Sequence, residues 1–559
     1  MSTVWTPEQE KAINFRDGSA IVSAAAGSGK TAVLVERVIK ILMDEENPVD
    51  ADKLVVATFT EKAAGELQTR LQKALSAAIE QNPSDTYLRS QRIKLEDASI
   101  STISSFCMKL IRENSAFLGL SPDFSVIDEA EGRLLFDKSL DRVMAEFYEQ
   151  GSEEEKNLLY DWYGRENDSE LCAAVTTIYD FMKKLPYSEQ SMAQWLDMYD
   201  NPSEYKEKLI SVYLEICVKP EAEKMAELLP RSAEAWDEGC TPCLASWKYI
   251  IGNLLGISGG NDPFFSADDC SIGNALGMDP VPPKRASKTY DNSVQKEAHD
   301  KLSKIWAKLI PYLMAVQHFE ENMTECAPAL RALTALAVKT DEEFSARKRS
   351  KNKIDFSDAE YFALKLLSDE NAAREIRKSA EVIIVDEFQD SNDIQYEIFS
   401  RLSDNGKNLF FVGDIKQSIY RFRGANPGVF ARILEDSSFT PIFLNRNFRS
   451  SEVVIESVNG IFEKTMTRSL GEVDYDENAK LVKGAVQYVP DEEPAIWNGY
   501  RCFKDEDNHL IYTYVRAYAD FADEPIPTTT GALVGILQYD PTGDGRYLLK
   551  LRDATDFIP

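Results

Sequence analysis

The chain has 559 residues, 43% of them hydrophobic, and a formal net charge of −30. That length exceeds what one compact core supports and points to three or four domains, while so acidic a balance excludes sequence-blind adhesion to nucleic acid over the whole surface. No apolar run reaches about eighteen residues and the start "MSTVWTPEQEKAINF" lacks the basic-then-apolar order of a secretion signal, so the expectation is a cytoplasmic protein without membrane contact.

The first 110 residues read as α/β. "SAIVSAA" (Ser19 to Ala25) is a short apolar strand, "TAVLVERVIKILM" (Thr31 to Met43) a helix and "KLVVATF" (Lys53 to Phe59) a second strand. In the following "EKAAGELQTRLQKALSAAI", Ala64, Leu67, Leu71, Ala74, Leu75 and Ala78 fall on one helical face. Strand, helix, strand, helix implies right-handed crossovers and a parallel sheet. Between the first strand and its helix lies "AAAGSGKT", covering Ala24, Ala25, Ala26, Gly27, Ser28, Gly29, Lys30 and Thr31. This is the spacing of a phosphate-binding loop. The glycines let backbone N–H groups turn onto phosphates, Lys30 adds a point charge, and Thr31 offers a hydroxyl to Mg²⁺.

From about Asp123 to Lys353 charged helical patterns dominate and strand signals are few. A turn-rich stretch from Gly256 to Asn292 reads as a long surface loop. Among eight cysteines and three histidines the close pair Cys240 and Cys243 is a weak basis for zinc, and ordinary reduced cysteines are expected. Two basic clusters are candidates either for phosphate contacts or for solvated faces. One is Arg347, Lys348, Arg349, Lys351 and Lys353; the other is Lys284, Arg285 and Lys288.

Sheet texture returns at "EVIIVDEF", where Val382 to Val385 run into Asp386 and Glu387, and at "NLFFVGDI" (Asn408 to Ile415). An apolar run of this kind suits the middle of a parallel sheet, whose carboxyl end is where ligands sit. Beside a phosphate-binding loop, Asp386 is the candidate for the Mg²⁺ shell and Glu387 for the base that orients or deprotonates attacking water. The same carboxylates would also suit a helix start. The pattern as a whole is an α/β domain split by a mostly helical insertion.

"DEFQDSNDIQ" with "VGDIKQSIYRFRGA" (Val412 to Ala425) resembles motifs II and III of superfamily-one helicases of the UvrD/Rep type, and within them most resembles the AddA and RecB helicase–nuclease subunits. In the family's order, "TPEQEKAI" resembles the Q motif, "ATFTEKAAGELQTRL" motif Ia, "ISTISSFC" motif Ib, and "FLNRNFRS" motif IV. "KIDFSDAEYFAL" resembles the segment that leads back into the core. The resemblance implies that Gln9 bonds adenine, Phe448 stacks on it, Gln417 senses the γ-phosphate, and Arg449 acts as an arginine finger. It also implies DNA contacts by Thr58, Phe59, Tyr420, Phe422 and Arg423, with Ser104 where motif Ib usually carries a histidine or an acidic residue. Aromatic stacking tolerates any base sequence, as a translocating motor requires.

The resemblance implies a P-loop NTPase motor with a RecA-like sheet. Its parts would be residues 1–122 and 354–436 for the first motor domain, 123–353 for the helical insertion, 437–485 for the start of a second motor domain, and 486–559 for an unassigned β-rich tail. Motifs V and VI and the family's nuclease domain are not found, so the expectation is the N-terminal portion of such a protein. The implied function is ATP- and Mg²⁺-dependent 3′-to-5′ movement on single-stranded DNA during double-strand break repair and recombination, with duplex DNA and an AddB-like helicase/nuclease as partners. The alternative is a non-motor chain that binds ATP, and DNA, without unwinding.

Overall fold

The computed structural model describes residues 5–16, 18–44, 46–163, 168–229, 241–258, 293–403, 406–467, 475–484, 486–489, 497, 499–505, 510–515, 519, 521, 524, 526, 530–540, 546–552 and 554–558. Lys284, Arg285, Lys288, Cys240, most of the Gly256–Asn292 stretch and the Arg423 side chain lie outside the described residues.

Two compact units divide the chain. One comprises residues 1–133, 184–186 and 348–559, and the other 134–183 and 187–347. The first unit is built on a six-stranded sheet in the order β3-β2-β6-β7-β1-β8. The strands are β1 (Ser19–Ala24), β2 (Leu54–Thr58), β3 (Ser99–Thr102), β6 (Val382–Val385), β7 (Leu409–Gly413) and β8 (Phe439–Leu444), with β4 (Ser125–Val126) and β5 (Lys353–Ile354) paired separately. Every pairing in the large sheet is parallel. Its central strands are apolar without alternation because both faces are covered: Ile21, Val56, Ile384 and Phe410 are all buried.

Helices α1 (Pro7–Asn14), α2 (Lys30–Leu42) and α3 (Glu61–Gln81) supply part of the covering. Along α2 the stripe Leu34, Val38, Ile41 and Leu42 is buried, and along α3 the stripe Ala64, Leu67, Leu71 and Leu75. Thr60 caps α3 by accepting from the Ala63 N–H. The start of α2 has no such cap; its N-cap is Gly29, in the left-handed conformation, so the first N–H groups of α2 lack a side-chain partner.

Two strands from beyond residue 380, β6 and β7, fill the space between β2 and β1, so the sheet closes only after the chain returns from the insertion. That return is fastened by charge. Lys348 is 1% exposed and its ammonium lies 2.6 Å from carboxylates of both Asp355 and Asp358. Lys351 and Lys353 both pair with Glu131, and Arg347 pairs with Glu343. The expectation that this basic run could offer phosphate contacts is therefore corrected at Lys348, whose charge is spent inside the protein, and weakened at its paired neighbours.

The second unit is helical in its described residues. Segments such as Lys219–Leu228, Thr241–Ile257 and Ser293–Gln317 enclose a core of Trp247, Ile251, Leu254, Leu302 and Trp306. Near the end of the first unit β9 (Arg446–Asn447) pairs with β10 (Val482–Lys483). A seven-stranded sheet follows, built of β11 (Val486–Val489), β12 (Gly499–Asp505), β13 (Leu510–Val515), β14 (Thr530–Leu533), β15 (Ile536–Asp540), β16 (Arg546–Lys550) and β17 (Phe557–Ile558). It has its own small core around Trp497, Phe503 and Phe557.

Candidate functional site

The carboxyl ends of β1, β6 and β7 deliver Ala24–Thr31, Asp386–Glu387 and Asp414–Gln417 to one edge of the sheet. Gly27 and Gly29 take φ of 72° and 79°, which side chains resist. Space excludes a side chain at Gly27 as well, since a Cβ there would lie 2.8 Å from the Arg449 Cβ and 3.0 Å from Asn447 Oδ1. The Lys30 ammonium sits 2.6 Å from Glu387 Oε1 and 3.4 Å from Asp386 Oδ1.

These charges tune one another. Burial alone would lower the Lys30 ammonium, but the facing carboxylates outweigh it and hold it above its ordinary value. Burial pushes the Asp386 carboxyl up, with Lys30 offsetting part of the rise. Burial also acts to raise Glu387, yet Lys30 and the Gln389 amide prevail and hold it below the usual glutamate range. Glu387 is held in a strained backbone, φ 54°; among the described residues only Asn352 shares a positive φ without being glycine. Such a conformation costs on the order of 1–3 kcal/mol and persists where surroundings impose it.

A cleft of about 760 Å³ opens over the loop, in the size range of small-ligand sites. Its lining includes Ala24 to Thr31, Glu387, Gln417, Phe448, Arg449 and Lys483. Ile511, Leu533, Leu537 and Leu549 of the C-terminal sheet add an apolar wall that no sequence motif marks. The Ser28 hydroxyl is buried without a hydrogen-bond partner, as expected of a cradle built for an oxyanion. Thr31 and Asp386, expected from the sequence to meet Mg²⁺, offer oxygen donors of the kind a hard cation takes. Among the described residues no group of three or more His, Cys, Asp or Glu side chains is placed to hold a metal. A divalent cation here would therefore need ligand oxygens beyond the protein's, which is the habit of Mg²⁺ with phosphates.

Gln9 and Phe448, expected from the sequence to meet adenine, are placed less openly. Gln9 is buried, accepts from the Thr6 N–H (2.8 Å) and donates to the Ser28 carbonyl (3.2 Å), so it braces the loop. Phe448 is buried too, and its ring packs so tightly on Gly484 that a Cβ there would collide with it. The hollow between Gln9 and Phe448 measures about 10 Å³, room for one water at most. A purine held by both residues requires that hollow to widen.

Asn447 is a bracing position that the sequence did not disclose. Its amide donates to the Ala26 carbonyl (2.8 Å) while its oxygen accepts from the Arg449 and Ser450 N–H groups. With the Phe448 N–H on the Gly27 carbonyl (2.9 Å), it clamps the Arg449 segment to the loop. Arg37 on α2 is a charged residue that neither lines the cleft nor faces solvent. It is 6% exposed, donates to the carbonyls of Ala12 and Phe15 and lies 3.9 Å over the Phe410 ring, with its pKa lowered to about 9 by burial and by Arg16.

On the neighbouring surface the Tyr420 ring packs at a tilt against Phe59, with centroids 4.7 Å apart, and Phe422 lies 6.0 Å from Tyr420 and is 78% exposed. Thr58 turns inward, donating to the Thr60 carbonyl. Ser104 is half-buried on the first turn of the helix Ile103–Glu113, near the point where Glu61 accepts from Thr102 and Ser105. No helix among the described residues is long and apolar enough to cross a membrane.

Residues 5–258 and 274–438 match the profile of the UvrD/REP helicase N-terminal domain. The chain is 35% identical over 525 residues to an ATP-dependent helicase/nuclease subunit of Thermoanaerobacter sp. (strain X514), covering 88% of this chain and 42% of that protein. Against the same-named protein of Acetivibrio thermocellus the identity is 34% over 514 residues, covering 87% and 41%. Against that of Clostridium kluyveri it is 33% over 550 residues, covering 91% and 42%. The chain thus spans about two fifths of the length of the curated relatives it matches.

Proposed function

The chain belongs to the UvrD/REP helicase family, and from that premise we propose that it carries the ATP-hydrolysing site of an AddA-type ATP-dependent DNA helicase. The observation that carries this reading is the Lys30–Asp386–Glu387 cluster beside the Gly27–Gly29 turn, with Lys30 and Glu387 lining one cleft of nucleotide size. We read residues 1–122 and 354–436 as a RecA-like P-loop motor domain, 123–353 as its helical insertion, 437–485 as the start of a second motor domain, and 486–559 as a β-rich tail.

In this reading the Gly27–Thr31 N–H groups and Lys30 hold the β- and γ-phosphates of ATP. Thr31 and Asp386 would hold Mg²⁺, which when bound neutralises charge developing on the transferred phosphoryl group. Glu387, kept ionised at neutral pH by Lys30 and Gln389, accepts the proton of the attacking water. Gln417 faces the cleft with its amide anchored on Asp414 (2.8 Å), poised to sense the γ-phosphate. Arg449 is exposed in the cleft wall and suits the compensation of transition-state charge. Phe59, Tyr420 and Phe422 form a partly exposed aromatic platform for the bases of single-stranded DNA.

The family further suggests 3′-to-5′ movement, duplex DNA as the substrate, a role in double-strand break repair and recombination in the cytoplasm, and an AddB-like partner. The test is steady-state ATP hydrolysis by the purified chain with and without single-stranded DNA, with Glu387→Gln as the blank. DNA-stimulated turnover above the blank is expected. Nucleotide binding without turnover would instead favour the reading of a chain that binds ATP and DNA without unwinding.

A further inference from the structure

Gln389 is 2% exposed and lies in the one-turn 3-10 segment Phe388–Asp390, directly after the strained Glu387. Its neighbour Phe388 points the other way, stacked on Phe411 at 4.0 Å, which pins the turn to the core and leaves Gln389 facing the strand ends. Its amide nitrogen donates to Glu387 Oε2 (2.8 Å) and, more weakly, to Asp390 Oδ2 (3.3 Å). Its amide oxygen accepts from the backbone N–H of Asp414 (2.9 Å). The two contacts fix which end of the amide is which, because a carboxylate needs a donor and an N–H needs an acceptor.

From there the contacts run on without a gap. Asp414 is 1% exposed; its carboxylate accepts from Gln417 Nε2 (2.8 Å) and pairs with Lys416 (2.7 Å). The Gln389 carbonyl accepts from the Ser418 hydroxyl (3.2 Å), two residues before Tyr420. Gly413 makes room for this arrangement, since a Cβ there would collide with Gln389 Oε1 and lie 2.9 Å from the Phe430 ring. Lys30, Glu387, Gln389, Asp414 and Gln417 thus form one continuous chain of hydrogen bonds, with a side branch into the loop that carries Tyr420 and Phe422.

We propose that Gln389 is a positioning residue that couples the two ligand sites: it ties the Glu387 carboxylate to the loop 414–424, so that nucleotide in the cleft and the pose of the aromatic platform become a single equilibrium. This inference rests on the ATP and single-stranded DNA reading above. Gln389 touches neither ligand; it acts through Glu387 on one side and Asp414 on the other. A change in the Lys30–Glu387 contact on nucleotide binding is then felt at Ser418 and beyond without any movement of the sheet.

Coupling of this kind is a ratio of affinities and needs no turnover to be measured. The experiment is binding of a fluorescent oligothymidylate, with and without saturating Mg²⁺ and a non-hydrolysable ATP analogue, to the wild-type chain, Gln389→Met and Gln389→Glu. The first variant loses all three side-chain hydrogen bonds of Gln389. The second keeps an acceptor for the Asp414 N–H but turns a carboxylate onto Glu387, and serves if the first does not fold. In the wild type the analogue should change the oligothymidylate affinity at least about fivefold. In the variants each ligand alone should bind within about threefold of wild type, while the ratio falls to within about twofold of unity; a merely structural role would lower the melting temperature and leave the ratio alone.

A wild-type ratio of unity, or a ratio that survives in a folded variant, overturns the inference while leaving the nucleotide site intact. Failure of the wild-type chain to bind the analogue or the oligothymidylate overturns the functional reading, and the inference with it.

Discussion

The Lys30 ammonium lies 2.6 Å from Glu387 Oε1, so the group proposed to hold phosphate also neutralises the group proposed to activate water. Lys30→Ala should therefore do two things. It should abolish binding of a fluorescent ATP analogue, and it should cost stability by leaving Asp386 and Glu387 facing each other without a counter-charge. The sign with pH follows from Glu387, which is held below its ordinary value. Its contribution is present above the ordinary glutamate pKa of about 4.3 and is lost as pH falls through the folded value. The stability gap between wild type and Lys30→Ala, from urea titrations, should be full at pH 7 and shrink below about pH 4.

Glu387→Gln keeps the shape and removes the base. ATP-analogue affinity should stay within about threefold of wild type, while any DNA-stimulated hydrolysis falls by about 100-fold or more. The Gln389 amide can still donate to the new side-chain oxygen, so loss of turnover would not reflect a collapsed turn. Normal hydrolysis by Glu387→Gln would remove Glu387 from the role of base.

Phe422 is 78% exposed and contributes little to packing, whereas Tyr420 is braced on Phe59. Phe422→Ala should leave the melting temperature within about 1 °C, since exposed sites tolerate substitution. It should weaken binding of single-stranded DNA by about 1–3 kcal/mol, or roughly 5–150-fold. Unchanged DNA affinity would argue that the platform stops at Tyr420.

Much of this site is legible in the sequence because its parts are local. A phosphate-binding turn needs its small residues, Lys30 and Thr31 within eight positions, and an inner strand needs the unbroken apolar run Val382 to Val385. The hidden parts are those whose partners are distant in sequence. Asn447 reaches Ala26 only because β8 lies beside β1, and Gln389 reaches Asp414 only because β6 and β7 are neighbours. Arg37 resembles a surface charge in sequence, but it follows the buried Leu34 on the α2 stripe, and its guanidinium satisfies two carbonyls left at the end of α1. Lys348 misleads for a related reason: charge runs advertise solvent, and only the turn at Asn352, with φ 53°, brings Asp355 and Asp358 back onto it. The C-terminal sheet carries no motif at all, so its share of the cleft wall had no signal to find.

Asp390 offers a test of the buried charge that turns on pH alone. Burial and the nearby Glu387 charge push its carboxyl up to about 6, against the pull of the Ile419 N–H and the Gln389 amide, and its Oδ1 has no hydrogen-bond partner. A folded value above the unfolded one means that the native state binds more protons in the window between about 3.9 and about 6. Stability from this group is therefore full below about pH 4, declines as pH rises through that window, and stays at its lower level above it. Asp390→Asn removes the titration while keeping an oxygen for the Gln389 amide. The variant's melting temperature relative to wild type should be higher at pH 8 than at pH 4.5, by on the order of 3 °C for a chain of this size. Equal differences at the two pH values would mean that Asp390 is solvated or paired in the folded protein, and that the acidic turn stores no such cost.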